Sequence, residues 1–194
     1  MVQDPAPPSI AATVVELMGT LRGRWTPFPM DNYDHSLQTA TRAMRAGADT
    51  DLVVAALLHD VGKSIAAVHH GNVAASMLNG LVRPEVVWVV RVHQAFTARE
   101  FRSDWHRYSR YRYRASKWFA LAEVFVDEWD LPSFDPDYPT LTLDDFVPLV
   151  DTVFSRRPAL VGVDKWRQST EQWIDHLPAP TPAIARRVKR AVSR

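Results

Sequence analysis

At 194 residues the chain is long enough to bury a core of its own as a single domain, and 46% hydrophobic against 23% charged residues suits a soluble globular protein. Lys+Arg 23 against Asp+Glu 22 leaves a net charge of +1, so no global field draws the chain to nucleic acid or to a membrane surface. With no cysteine, disulfide scaffolds, thiolate zinc sites, iron–sulfur clusters and cysteine nucleophiles are excluded, and no apolar run approaches the roughly 18 residues of a membrane span.

The start, MVQDPAPPS, lacks the basic opening and apolar core of a signal peptide, so a cytoplasmic location is expected. Its prolines make residues 1–8 a disordered lead-in. Val14, Leu17, Met18 and Leu21 recur at helical spacing from Ile10 onward, and Pro27 and Pro29 make 23–32 a loop. A helix is expected from about Tyr33 to Ala46, with Gly47 closing it. Asp49 or Thr50 caps the next, whose face of Val54, Leu57, Leu58, Val61, Ile65 and Val68 is so apolar that the helix must be central.

A further helix runs from His70 to Asn79 and stops at Gly80. Pro84 suits the first position of its successor, and it decides for a helix where Val86, Val87, Val89 and Val90 alone could form a strand. Residues 99–117 are dense in Arg and Tyr. Ala115 to Trp129 reads as helical and 131–140 as a proline-rich loop, and Thr142 with Asp145 opens a capped helix. Helices at 158–176 and 181–192 complete an all-α bundle: one domain over 9–178, then a basic C-terminal helix or tail over 179–194.

The histidines carry the chemistry. His35, His59, His70 and His93 lie in or at the edge of these helices, on faces shared with core residues, and His59 precedes Asp60 inside the apolar run AALLHDVGK. One helical histidine is most often a hydrogen-bonded core residue. Four on separate inner faces, with a His-Asp pair in the most hydrophobic helix, are costly unless partners or a metal satisfy them. Imidazoles and carboxylates without thiolate suit Fe, Mn or Zn, and a carboxylate beside a histidine can bridge two cations that each keep their own imidazoles.

The pattern H…HD…D, met by His35, His59-Asp60 and a later aspartate, resembles the HD-domain superfamily of metal-dependent all-α enzymes. His70 and His93 make it similar to the binuclear branch, above all to the mixed-valent diiron oxygenases, the group of myo-inositol oxygenase and the PhnZ-type phosphonate-cleaving enzymes. DHSLQTA (34–40), LLHDVGK (57–63), HGNVAASML (70–78), VRVHQAF (91–97) and EWDLPSFDP (128–136) carry the resemblance, which spans about 31–155. It implies two Fe ions, Fe(II)/Fe(III), with His35, His59, Asp60 and Asp130 on one and Asp60, His70 and His93 on the other. His69 is a rival to His70, and Asp127 and Asp135 are rivals to Asp130. O2 and a small-molecule substrate would be the partners, with no nucleic acid and no membrane.

The resemblance also implies that Lys63, over the same helix patch as His59 and Asp60, contacts a substrate oxygen and serves as the catalytic side chain. Tyr33 and Arg99 are the other expected substrate contacts. The band from Arg99 to Lys117 is either a solvated face or a cationic, aromatic mouth for a carboxylate, phosphate or phosphonate. The chain lacks the glutamine-glycine-rich stretch of the PhnZ-type enzymes, and its Asp60-to-His70 spacing is far shorter than in inositol oxygenase. VHQAFTAREF also lacks the Gly-Tyr-Pro signature of cyclic-dinucleotide phosphodiesterases. A phosphohydrolase using Mn, Mg or Zn on the same ligands is the alternative activity.

Overall fold

The structure, a computed structural model, describes residues 9–23, 29–97 and 110–157. All of them belong to one compact unit, Met1–Ala159, and among them the fold is helical with no β-strand. The expected lead-in over 1–8, the helices expected at 158–176 and 181–192 and the tail over 179–194 lie outside the described residues.

Helix α1 (Ile10–Gly19) starts where the Ser9 hydroxyl accepts from Ala12 N at 3.1 Å. Helix α2 (Asn32–Arg45) is capped by Asp31, whose Oδ1 accepts from Asp34 N at 2.9 Å. It closes at Gly47, whose φ of 77° is the left-handed conformation that a side chain would oppose. Helix α3 (Thr50–Leu58) is capped by Asp49, which accepts from Leu52 N at 3.2 Å. Every residue from Asp51 to Leu58 is buried, as expected for a helix apolar all round.

The helix expected to continue through Val61, Ile65 and Val68 does not do so. α3 ends at Leu58, and two short 3₁₀ turns, Val61–Ser64 and Ala67–His69, follow the His59-Asp60 pair. Val61 is buried, but Ile65 is 70% and Val68 78% exposed. The physical reason is a close approach. A Cβ on Gly62 would stand 2.7 Å from the His70 Cα and 2.8 Å from the Val73 Cβ, so the tight turn lies directly on the next helix.

That helix, α4 (His70–Leu78), packs against α5 (Pro84–Thr97), which has proline in its first turn as expected. Here too a glycine permits contact, for a Cβ on Gly71 would lie 2.9 Å from the Val90 carbonyl oxygen. A 3₁₀ turn (Arg110–Tyr113) precedes α6 (Phe119–Glu123), which widens into a π-helical turn over Val124–Asp130. The helix expected from Ala115 thus starts at Phe119, and its second half is not α-helical. Leu131 N bonds Val126 O at 2.9 Å, five residues back, and the buried set Phe125, Val126, Trp129 and Asp130 follows the wider π spacing.

Helix α7 (Leu143–Phe154) opens with Thr142, whose backbone N–H and hydroxyl both donate to Asp145 Oδ2 at 2.8 Å. The core joins α1 to α7, α7 and α2 to α3, and α2 and α5 to the π turn. Polar ties at the rim complete it. Asp51, buried at the head of α3, accepts from Arg83 N at 3.0 Å and from Arg156 at 2.6 Å, joining α3 to the turn before α5 and to the end of α7.

Candidate metal centre

Six polar side chains from five stretches meet inside this core. His35 comes from the first turn of α2, His59 and Asp60 from the end of α3, and His70 from the start of α4. His93 comes from α5, and Asp130 from the end of the π turn. None is more than 4% exposed. A polar cluster so buried demands partners for each lone pair and proton.

The ring nitrogens answer half of that demand. His59 Nδ1 lies 2.8 Å from Ala56 O, His70 Nδ1 2.7 Å from Ala67 O and His93 Nδ1 2.7 Å from Val90 O. His35 Nδ1 lies 2.8 Å from Ser133 O. A carbonyl only accepts, so each Nδ1 carries a proton, and a neutral ring of this tautomer presents its Nε2 lone pair to the interior. This is the tautomer that ligates metal through Nε2, with a carbonyl behind it fixing the ring.

The Nε2 atoms pair off, His35 with His59 at 3.2 Å and His70 with His93 at 3.0 Å. Two lone pairs at such distances repel unless a cation lies between them. Ligands about 2.1 Å from one cation sit about 3.0 Å apart at a right angle and about 3.4 Å apart at the tetrahedral angle, and both pairs match. Asp130 Oδ1 joins the first pair, 3.2 Å from His35 and 3.6 Å from His59.

Asp60 spans the two. Its Oδ2 is 3.5 Å from the Nε2 of both His35 and His59, while its Oδ1 is 3.0 Å from His70 and 3.5 Å from His93. Asp60 Oδ1, the oxygen turned to His70 and His93, and Asp130 Oδ2 are buried with no hydrogen-bond donor. An orphaned carboxylate oxygen facing imidazole nitrogens is the complement of a cation, and His35, His59 and Asp130, like His59, Asp60 and His93, have their donor atoms close enough to hold a metal ion.

The electrostatics agree. Burial would raise the Asp60 carboxyl, but His59, Lys63, His70 and His93 together hold it well below the usual carboxylate range. Asp130, likewise opposed by burial, is held low by His59 and His35. Burial depresses His59, yet Asp60 and Asp130 raise it above an ordinary histidine, whereas at His93 burial prevails and the pKa falls. Negative charge is concentrated where the imidazoles converge.

All six expected ligands are thus brought together, and the rivals are placed elsewhere. His69 is exposed. Asp127 takes a two-pronged bond from Arg110, at 2.7 and 2.9 Å, and Asp135 is half exposed beside Arg42. Lys63 bonds Asp60 Oδ2 and also donates to Asn32 Oδ1 at 3.0 Å. Tyr33 is buried in the core, its ring covered by the Arg22 guanidinium at 3.6 Å. Arg99 lies outside the described residues. Arg110 is spent on Asp127 and on the Phe96 carbonyl, so this member of the basic band braces the fold.

The sequence reading passed over Asn32, Ser133, Phe134 and Gln38. The Phe134 ring stacks on His35 with centroids 4.1 Å apart. Asn32 and Gln38 carried a signal, since each lies three residues from His35 and therefore on its face of α2.

The HD domain family model matches residues 32–130, which contain all six clustered side chains. The chain belongs to the HD-domain family. Members of this family are typically metal-dependent enzymes, hydrolases and oxygenases among them. The match begins at Asn32, the first residue of the helix that bears His35, and ends at Asp130. No curated protein matches the chain.

Proposed function

We propose that this HD-domain protein is a binuclear non-haem diiron oxygenase acting with O2 on a small hydroxylated, anionic substrate. The observation that carries the reading is the set of four imidazoles, each locked with its proton on a carbonyl and grouped two and two about Asp60. Four nitrogen donors and two carboxylates suit iron, and the likeness of the ligand-bearing segments to diiron oxygenases supports iron over other divalent cations. His35, His59, Asp60 and Asp130 would hold one ion, and Asp60, His70 and His93 the other. When bound, the Fe(II)/Fe(III) pair supplies one-electron chemistry toward O2 and Lewis acidity toward a substrate oxygen.

The chain's own residues do the rest. The Nδ1 protons are committed to carbonyls, so the imidazoles hold ligand geometry and do not shuttle protons. Lys63 is 26% exposed beside an Asp60 that is 2% exposed, so a substrate can reach its ammonium. It offers a charge and a proton to an anionic or hydroxyl oxygen, and Asn32 fixes its direction. Phe134 over His35 and the Phe125 edge against His59 exclude water from that side of the centre.

Membership of a family that includes hydrolases keeps one other reading. The same ligands loaded with Mn, Mg or Zn would serve phosphoester hydrolysis, with Lys63 neutralising phosphate charge. Oxygen-electrode assays of iron-loaded protein against small hydroxy acids and hydroxyphosphonates, run beside phosphate-release assays of the Mn, Mg and Zn forms, separate the two. Iron-dependent O2 uptake that is lost in Lys63→Ala is expected. Phosphate release without O2 uptake replaces the oxygenase reading with the hydrolase.

A further inference from the structure

We infer that Gln38 is a positioning residue for one half of the metal centre, the half made by His35, His59 and Asp130; the inference rests on the binuclear reading above. Among the four ligand imidazoles, three take their orienting carbonyl locally, from the residue three places earlier in the chain. His35 differs. Its Nδ1 donates to Ser133 O, 98 residues away, in the irregular stretch 131–140. The same stretch lays Phe134 on the His35 ring and begins at Asp130, whose carbonyl accepts from Ser133 N at 3.0 Å. A ligand pair, His35 and Asp130, therefore depends on a segment with no helix or strand to hold it.

Gln38 holds that segment. It is 1% exposed, inside α2. Its Nε2 donates to Asp135 O at 2.8 Å and to Thr140 Oγ1 at 3.3 Å, and its Oε1 accepts from Asp135 N at 3.1 Å. The side-chain amide pairs with both backbone groups of one residue, as a neighbouring strand would. Arg42, bonded to Pro132 O at 2.9 Å, and Thr41, bonded to Leu141 N at 3.1 Å, secure the flanks. In the middle, Ser133 is tied back to the π turn by its hydroxyl on Trp129 O and its N–H on Asp130 O, and Gln38 grips the backbone of Asp135 just beyond Phe134. An amide buried this deeply is costly unless fully paired, and here its pairing fixes the wall behind His35. His70 and His93 owe nothing to this segment.

The test is Zn(II) titration against a competing chelator, on wild type, Gln38→Leu and Gln38→Glu, with long-range ¹H–¹⁵N spectra of the histidine rings. Wild type should bind about two cations, and loss of such an outer partner should weaken one of them about 10- to 100-fold while the other keeps its affinity. The spectra should show His35 losing its single Nδ1–H tautomer, with His70 and His93 unmoved. Gln38→Glu keeps the acceptor for Asp135 N and loses the donor, so it should fall between; it is the decisive variant if circular dichroism shows Gln38→Leu unfolded. Two cations bound as tightly as in wild type, or both weakened alike, overturns the inference. Wild type binding fewer than two cations overturns the binuclear reading and this inference with it.

Discussion

Asp60 is the side chain that lies between the two imidazole pairs, with one oxygen toward His35 and His59 and the other toward His70 and His93. Asp60→Asn keeps the shape but replaces an acceptor by an amide N–H₂ and removes the charge that draws a cation. Metal content should fall from about two per chain to below one, because neither half keeps its full ligand set. Elemental analysis of the purified variant checks this, with far-UV circular dichroism confirming that the fold survives. At this scale the buried cluster was legible because imidazoles and carboxylates on apolar helix faces are too costly to be idle. Ser133 was not legible, since it serves through its backbone carbonyl, which any residue supplies. Phe134 reads in sequence as an ordinary loop aromatic.

Among the elements, the helices with capping residues and a continuous apolar face were legible to within a few residues: α2 between Asp31 and Gly47, α3 from Asp49, and α7 from Thr142. Spacing failed where the chain bends to serve the centre. Val61, Ile65 and Val68 keep helical intervals past Leu58, but the chain turns at Asp60 and only Val61 stays inside. Likewise the π turn departs from helical register and delivers Asp130 to the interior while Asp127 faces Arg110. Long-range contact decides both, through Gly62 against α4 and through the packing of the π turn on α2 and α5. Gly62→Ala should therefore push the first turn of α4 outward, costing about 1–3 kcal/mol, the range for overpacking a well-filled site. Thermal unfolding would register that cost. Metal titration should show the His70 and His93 half weakened more than the His35 and His59 half; equal weakening would refute the assignment of Gly62 to α4.

For the whole molecule, the apolar core joins α1, α2, α3, α5, α6 and α7 around the centre without using any ligand as its sole link. The metal-free protein should accordingly stay folded and helical, unlike a small zinc-dependent domain. Binding should still stabilise it, because the native state alone presents the assembled ligands. At a free metal concentration 100-fold above Kd the gain is about 2.7 kcal/mol, which for a chain of this size raises Tm by roughly 5–10 °C. Calorimetry before and after chelation tests this, and an unchanged Tm would mean that no cation had been held. The all-α architecture and the family were readable from the order of His35, His59-Asp60, His70, His93 and Asp130. The choice between oxidation and hydrolysis was not, because both chemistries use the same donors.

The most direct test of the account is metal analysis of protein purified anaerobically from iron-supplemented medium, joined to an EPR spectrum after partial oxidation. The account predicts about two irons per chain, held by residues that include Asp60, with one coupled mixed-valent signal that is lost in His59→Ala. A single uncoupled iron, or wild-type protein that binds no more metal than His59→Ala, would contradict it.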